Sequence, residues 1–152
     1  SAYLISVFSQ PASRTDELYH CNLLAESVIT KKSIQEKLTS EVDALIIRTF
    51  PNNKSKKYRN YDSDPAPFFT NDAIDYLQSI NIKHLLVDLP SIDKLDDGGQ
   101  LGNHKRFFKK GKTISELLYI PNDLEDGFGF LQIQIPPWRL DAAPSRPIFY
   151  PI

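Results

Sequence analysis

Between Ala44 and Asp88 the chain passes through an apolar, β-branched run, a long polar stretch, a helically spaced segment and a second short apolar run. Ala44–Phe50 and His84–Asp88 are too short for core helices and read as buried strands, while Ala73, Leu77 and Ile80 share one helix face. Thr70 or Asn71 caps that helix. Asp72 falls in its first turn, where a carboxylate meets the positive end of the helix dipole, and the helix ends near Asn81. Two strands joined through a helix over so long a connection form a parallel crossover, which commits the chain to the α/β class.

The flanks add to this unit. Tyr3–Phe8 predicts a further buried strand, ending before Pro11 and a polar cluster through Asp16. Glu17–Ile29 reads as a second extended segment. Thr30 offers a helix start, Ser33-Ile34-Gln35-Glu36 has capping-box spacing, and Ile34 with Leu38 gives a short helix leading to Ser40 one apolar face. From Pro51 to Phe68 the sequence predicts a long surface loop, a feature that is often functional inside a compact domain. Phe128–Ile135 and Pro147–Tyr150 supply late strands, and 11 prolines against 6 glycines imply stiff connections at edges and turns. At 152 residues, 1–152 is expected to be a single domain.

Composition excludes several classes of partner. The formal charge is -1, and no apolar run approaches the ~18 residues of a membrane span, so neither a membrane nor a strongly charged polymer is an expected partner. Cys21 is the single cysteine, which forbids an internal disulfide and suits a reducing, cytoplasmic location. Lys54, Lys56, Lys57 and Arg59, interleaved with Tyr58 and Tyr61, lack any accompanying nucleic-acid motif and read as solvated surface. Lys105, Arg106, Lys109, Lys110 and Lys112 border Phe107 and Phe108 and fit a short helix with a buried aromatic side and a wet basic side.

Chemistry concentrates after the His84–Asp88 strand. Asp88-Leu89-Pro90-Ser91-Ile92-Asp93 sets two carboxylates and a hydroxyl where open α/β sheets place ligand crevices, although the same groups can simply satisfy a turn. His104 follows a Gly98-Gly99 loop, and Glu116 lies twelve residues further on. Imidazole with carboxylate suits zinc, manganese or iron. The alternative leaves His104 solvated and pairs Glu116 with Lys110 or Lys112. His20 and His84 are weaker ligand candidates than His104, and His84, before Leu85 and Leu86 in a strand, reads as a packed or edge residue. Gly-rich phosphate loops, a Gly-x-Ser-x-Gly elbow and a Cys/His nucleophile pair are all absent.

The order of these pieces resembles the cyclase family of metal-dependent hydrolases, which includes the bacterial kynurenine formamidases. The resemblance covers roughly Ile29 to Ile152 and rests on Ile29-Thr30, Ala44 to Thr49, Asp72 to Ile80, Val87 to Asp93, His104, Glu116-Leu117-Leu118 and Ala143-Pro144-Ser145-Arg146-Pro147. It implies a mixed α/β fold with a barrel-like β core and flanking helices, of the swivelling β/β/α type, and metal-assisted hydrolysis of an amide or ester such as N-formylkynurenine. His104 and Glu116 match the family's later metal ligands, with Asp88, Ser91 and Asp93 supporting them. Tyr58, Tyr61 and Phe68 are the expected lining of an aromatic substrate pocket.

The family's N-terminal His-x-Gly-Thr-His-x-Asp motif has no counterpart in this sequence, which also contains no methionine. The expectation is a C-terminal portion of a larger domain, lacking its first strands and carrying half of a zinc or manganese site. The missing N-terminal segment and a second copy of the chain are the expected partners, with a small-molecule substrate. A non-catalytic module of the same fold, serving binding or oligomerisation, is the alternative.

Overall fold

The computed structural model describes residues 1–109 and 111–152; Lys110, part of the second basic cluster, lies outside the described residues. Strands β1 (Ala2–Phe8), β4 (Ala44–Phe50), β6 (His84–Val87) and β7 (Thr113–Ser115) run parallel, and β8 (Gly127–Gln134) and β9 (Arg146–Pro151) complete the sheet antiparallel. Their order is β7-β6-β4-β1-β8-β9, in a sheet curled into a half-barrel. A small second sheet joins β2 (Gln10–Pro11), β3 (Ser27–Ile29) and β5 (Phe68–Phe69). The β4–β6 crossover expected from sequence is present, with helix α2 (Asn71–Ser79) between the two strands.

The central strand β4 is buried on both faces, as its unbroken apolar run requires. Leu45 and Ile47 face α1 (Lys31–Gln35), α2 and α3 (Gly102–Phe108), packing with Ile34, Ile74, Leu77 and Phe107. Ala44 and Ile46 face the other way, toward Leu4, Leu86, Ile120, Leu131 and Phe149. Arg48 follows on that second face and is buried. Its guanidinium donates to Ser6 Oγ, the carbonyls of Pro121 and Leu124, and Asp126, binding the two central strands to the segment that precedes β8. Gly129 belongs to this face, where a Cβ would lie 2.4 Å from the Tyr150 carbonyl, so the β8–β9 approach requires glycine.

Within the expected extended segment Glu17–Ile29, only Ser27–Ile29 is strand. The stretch before it is held by side chains instead. Thr30 caps α1 by accepting from Ser33 N, which puts Ser33 inside the first turn and Glu36 at the far end, so the expected capping box does not form and the helix stops at Gln35. Glu17 supplies the missing carboxylate from a distance: Oε2 accepts from Lys31 N at 2.8 Å and from Thr70 Oγ1 at 2.6 Å, and Oε1 from Lys32 N at 3.3 Å. Thr70 Oγ1 in turn caps α2 by accepting from Ala73 N at 3.1 Å. The Pro51–Phe68 loop contains a 3-10 turn at Lys54–Tyr58 and ends in β5.

The described residues contain no helix long and apolar enough to cross a membrane. Antiparallel register pairs Ile133 with Pro147 and Gly129 with Pro151. Ile152 N donates to Phe128 O, so even-numbered residues of β9 point their N–H groups inward and the two prolines occupy outward positions.

Because the Thr70 hydroxyl serves two helix starts and is fully buried, Thr70→Val should cost about 1–3 kcal/mol. Urea unfolding should show the loss in the midpoint with an unchanged slope.

Candidate metal centre

The loops leaving the carboxyl ends of β6 and β7 meet α3, and this meeting brings His104 and Glu116 together. His104 Nε2 lies 3.2 Å from Glu116 Oε1, and both side chains are mostly buried. Of the two lysines offered as alternative partners of Glu116, Lys110 lies outside the described residues and Lys112 Nζ stands 5.4 Å from the centroid of the Phe107 ring. Ile92 N donates to Glu116 Oε1 at 2.8 Å, fixing that carboxylate against the loop after β6. The edge of the Phe108 ring packs on the other side of the imidazole, with centroids 5.7 Å apart.

Asp93 sets the orientation of His104. The start of α3 carries Leu101, in a left-handed conformation (φ 47°), and no side chain of its own caps it. Asp93 replaces the cap from outside: Oδ1 accepts from Asn103 N at 2.8 Å and Oδ2 from His104 N at 3.0 Å. Oδ2 also receives His104 Nδ1 at 2.8 Å, and Oδ1 receives the Tyr19 hydroxyl at 3.0 Å. Burial pushes the Asp93 carboxyl up, but the bonds from His104, the two helix N–H groups and Tyr19 outweigh it and hold the group below the usual carboxylate range.

A second cluster stands beside the first. His20 Nδ1 faces Asn71 Nδ2 at 3.2 Å, which can only donate, so the imidazole proton is on Nε2 and is given to Asp97 Oδ2 at 2.9 Å. Asp97 Oδ1 accepts from Gln100 N, in the loop that leads into α3. The ring lies so close to the helix that a Cβ on Gly102 would fall 2.3 Å from His20 Nδ1. His20, Asp93 and Asp97 are near enough, within 4.8 Å, to be counted as a possible metal group. With the Nε2 proton committed to Asp97 and the Asp93 oxygens filled by donors, hydrogen bonding already satisfies that group. His20 belongs to this polar cluster, and its proximity to Asp97 depends on a fold that sequence spacing does not reveal.

The other expected site residues are dispersed. Asp88 is buried behind the loop, accepting from Thr49 N and Oγ1 and pairing with Lys56 Nζ at 2.7 Å. Ser91 Oγ accepts from Asp93 N and shapes the turn. Lys56 of the first basic cluster is thus internal, Arg59 pairs with Asp64, and Lys57 lies over Tyr119. A cavity of about 670 Å³ opens beside the ends of β1, β4 and β6, with Phe50, Pro51, Arg59, Tyr61, Pro67 and Leu89 in its wall. Tyr61 thus stands in the wall of this cavity. Tyr58 is 89% exposed and outside its wall, and Phe68 is buried against Ala12, Val28 and Tyr19 because β5 points it inward. His84 opens β6, paired with Ala44 on one side and Thr113 on the other, and its Nδ1 meets Thr113 Oγ1.

Burial opposes charge on His104, but the hydrogen bonds to Asp93 and Glu116 prevail and raise its pKa from 6.5 to about 9 in the metal-free chain. A raised folded-state pKa gives stability that is complete below pH 6.5 and lost as the pH climbs through about 9. Comparing wild type with His104→Gln by urea unfolding across that window should therefore show the stability difference between them shrinking as pH rises.

No family profile matches the chain. It is 27% identical over 124 residues to a kynurenine formamidase of Bacillus mycoides, covering 82% of this chain and 57% of that protein. With the kynurenine formamidase of Bacillus cytotoxicus the identity is 25% over 121 residues, covering 80% and 56%. The chain thus spans little more than half the length of these curated relatives. Among solved structures, one described as a potential metal-dependent hydrolase with cyclase activity superposes with a TM-score of 0.67 at 21% identity, over 97% of this chain and 63% of that one. A Bacillus stearothermophilus protein described as a predicted metal-dependent hydrolase gives 0.66 at 21%, over 97% and 62%. In sequence the chain is kynurenine formamidase-like, and its fold is that of the cyclase-type metal-dependent hydrolases.

Proposed function

We propose that the chain forms part of a divalent-metal hydrolase of the kynurenine formamidase type, acting on the carbonyl of an amide or ester, with N-formylkynurenine as the substrate class. His104 and Glu116 are two of the ligands, and zinc or manganese is the cation. The observation that carries this reading is the 3.2 Å between His104 Nε2 and Glu116 Oε1. Two donors bound ~2.1 Å from one cation at tetrahedral or octahedral angles stand about 3.0–3.4 Å apart, so this pair fits a shared ion without rearrangement. A cation held there supplies Lewis acidity toward the carbonyl and activates water for hydrolysis.

The chain's own residues do the arranging. Asp93 keeps the Nδ1 proton of His104 in place and presents Nε2 as the ligand atom, while Ile92 N orients Glu116. The cavity walled by Phe50, Tyr61 and Leu89 opens at the same carboxyl edge of the sheet and suits a small aromatic substrate. Two ligands alone seldom retain a catalytic metal, so the remaining donors come from outside this set. That shortage favours a second reading, a module that keeps the fold and binds or oligomerises without catalysis.

Metal titration and turnover separate the two. In the polypeptide that carries this chain, formamidase activity should disappear with a chelator and return with zinc or manganese, and His104→Ala or Glu116→Gln should weaken zinc binding at least ~10-fold. Zinc binding unchanged in both variants would leave the non-catalytic reading standing.

Assembly with a second copy belongs to the same proposal. Phe128, Phe130, Tyr150 and Ile152 leave one face of β8 and β9 exposed, at 39%, 59%, 50% and 80%. Light scattering should give twice the 17.3 kDa chain mass, and Phe130→Asp should return the monomer.

A further inference from the structure

Tyr19 lies on the irregular stretch before β3, far in sequence from Asp93, His104 and Glu116. Its ring is held between Phe68, with centroids 4.7 Å apart, and His20, at 4.0 Å. Its hydroxyl oxygen accepts from Lys94 N at 2.8 Å and stands 3.0 Å from Asp93 Oδ1. A backbone N–H can only donate, so the phenolic proton has one direction left to go, toward Asp93.

Asn103 N and His104 N also donate, one to each oxygen of Asp93, and this donor-filled setting keeps the carboxylate ionised. The proton shared between Asp93 Oδ2 and the imidazole must then reside on His104 Nδ1, which leaves Nε2 directed at Glu116. Asn103, His104 and Lys94 belong to α3 or to the loop that carries Asp93 itself. Tyr19 is the single donor to Asp93, among those described, that comes from another part of the chain.

We infer that Tyr19 is a positioning residue: its hydroxyl, given one donor direction by the Lys94 N–H, braces the Asp93 carboxylate that aims His104 Nε2 at Glu116. The inference rests on the proposed reading only in taking His104 as a ligand. Its geometric content, the orientation of His104 and the proton on its Nδ1, holds for the metal-free chain as well. Tyr19 touches neither the ligand atoms nor the cavity, so it acts on the site only through Asp93.

Tyr19→Phe keeps the ring in its slot and removes the hydroxyl alone. In nitrogen-15 NMR of the metal-free protein, wild-type His104 should show a slowly exchanging Nδ1–H. Tyr19→Phe should shift that signal and speed its exchange while lowering Tm by only about 2–6 °C, a combination that loss of packing would not give. Zinc titration should show affinity reduced about 10-fold. A fluorinated tyrosine at position 19, a stronger donor, should move the Nδ1–H signal the opposite way, and serves if the phenylalanine variant folds poorly. An unchanged Nδ1–H signal in these variants overturns the inference. If wild type and His104→Ala bind zinc equally, the metal reading falls instead, while the NMR result still decides the role of Tyr19.

Discussion

The buried carboxylate of Asp93 is the constraint around which the functional end of the molecule is arranged. An ionised group with no exposed side-chain surface is tolerated only if its lone pairs are filled, and here four donors fill them: two helix N–H groups, an imidazole and a phenol. Each donor comes at the cost of holding another element in place. The start of α3 needs no side-chain cap because Asp93 is there, the loop after β6 is pinned to that helix, and the stretch before β3 is drawn in through Tyr19. His104 is oriented as one consequence of satisfying this charge.

Glu17 repeats the device at the other helix starts, accepting from the first turn of α1 and from the hydroxyl that caps α2. Residues that look like loop in sequence therefore act as caps in space. The segment around Glu17, Tyr19 and His20 has almost no regular structure and still touches the amino ends of all three helices. Mutations there are expected to act on helices far away in the sequence rather than locally.

The parts of this architecture that were legible in the sequence are those governed by local periodicity. Strands β1, β4 and β6, helix α2 with its Thr70 cap, and the parallel crossover follow from apolar runs and helical spacing. The convergence of His104 and Glu116 is a product of the fold that their spacing alone does not reveal. Side chains that find partners across the fold were not legible. Nothing near Glu17 announces that it caps two helices, and Ser33 satisfies a capping pattern that Thr30, three residues earlier, pre-empts. Tyr58 and Phe68 share the aromatic character of Tyr61, but a two-residue strand turns Phe68 inward and a 3-10 turn leaves Tyr58 in solvent.

The prolines of β9 bear on how the sheet ends. Of the three outward-directed backbone positions in that strand, Pro147 and Pro151 have no N–H, and only Phe149 retains a donor. The rim of the sheet is thereby deprived of the ladder a neighbouring strand would need, which guards an aromatic-rich terminus against fibrillar growth. The exposed face of β8 and β9, with Phe128, Phe130 and Tyr150, therefore meets its surroundings through side chains rather than through backbone pairing.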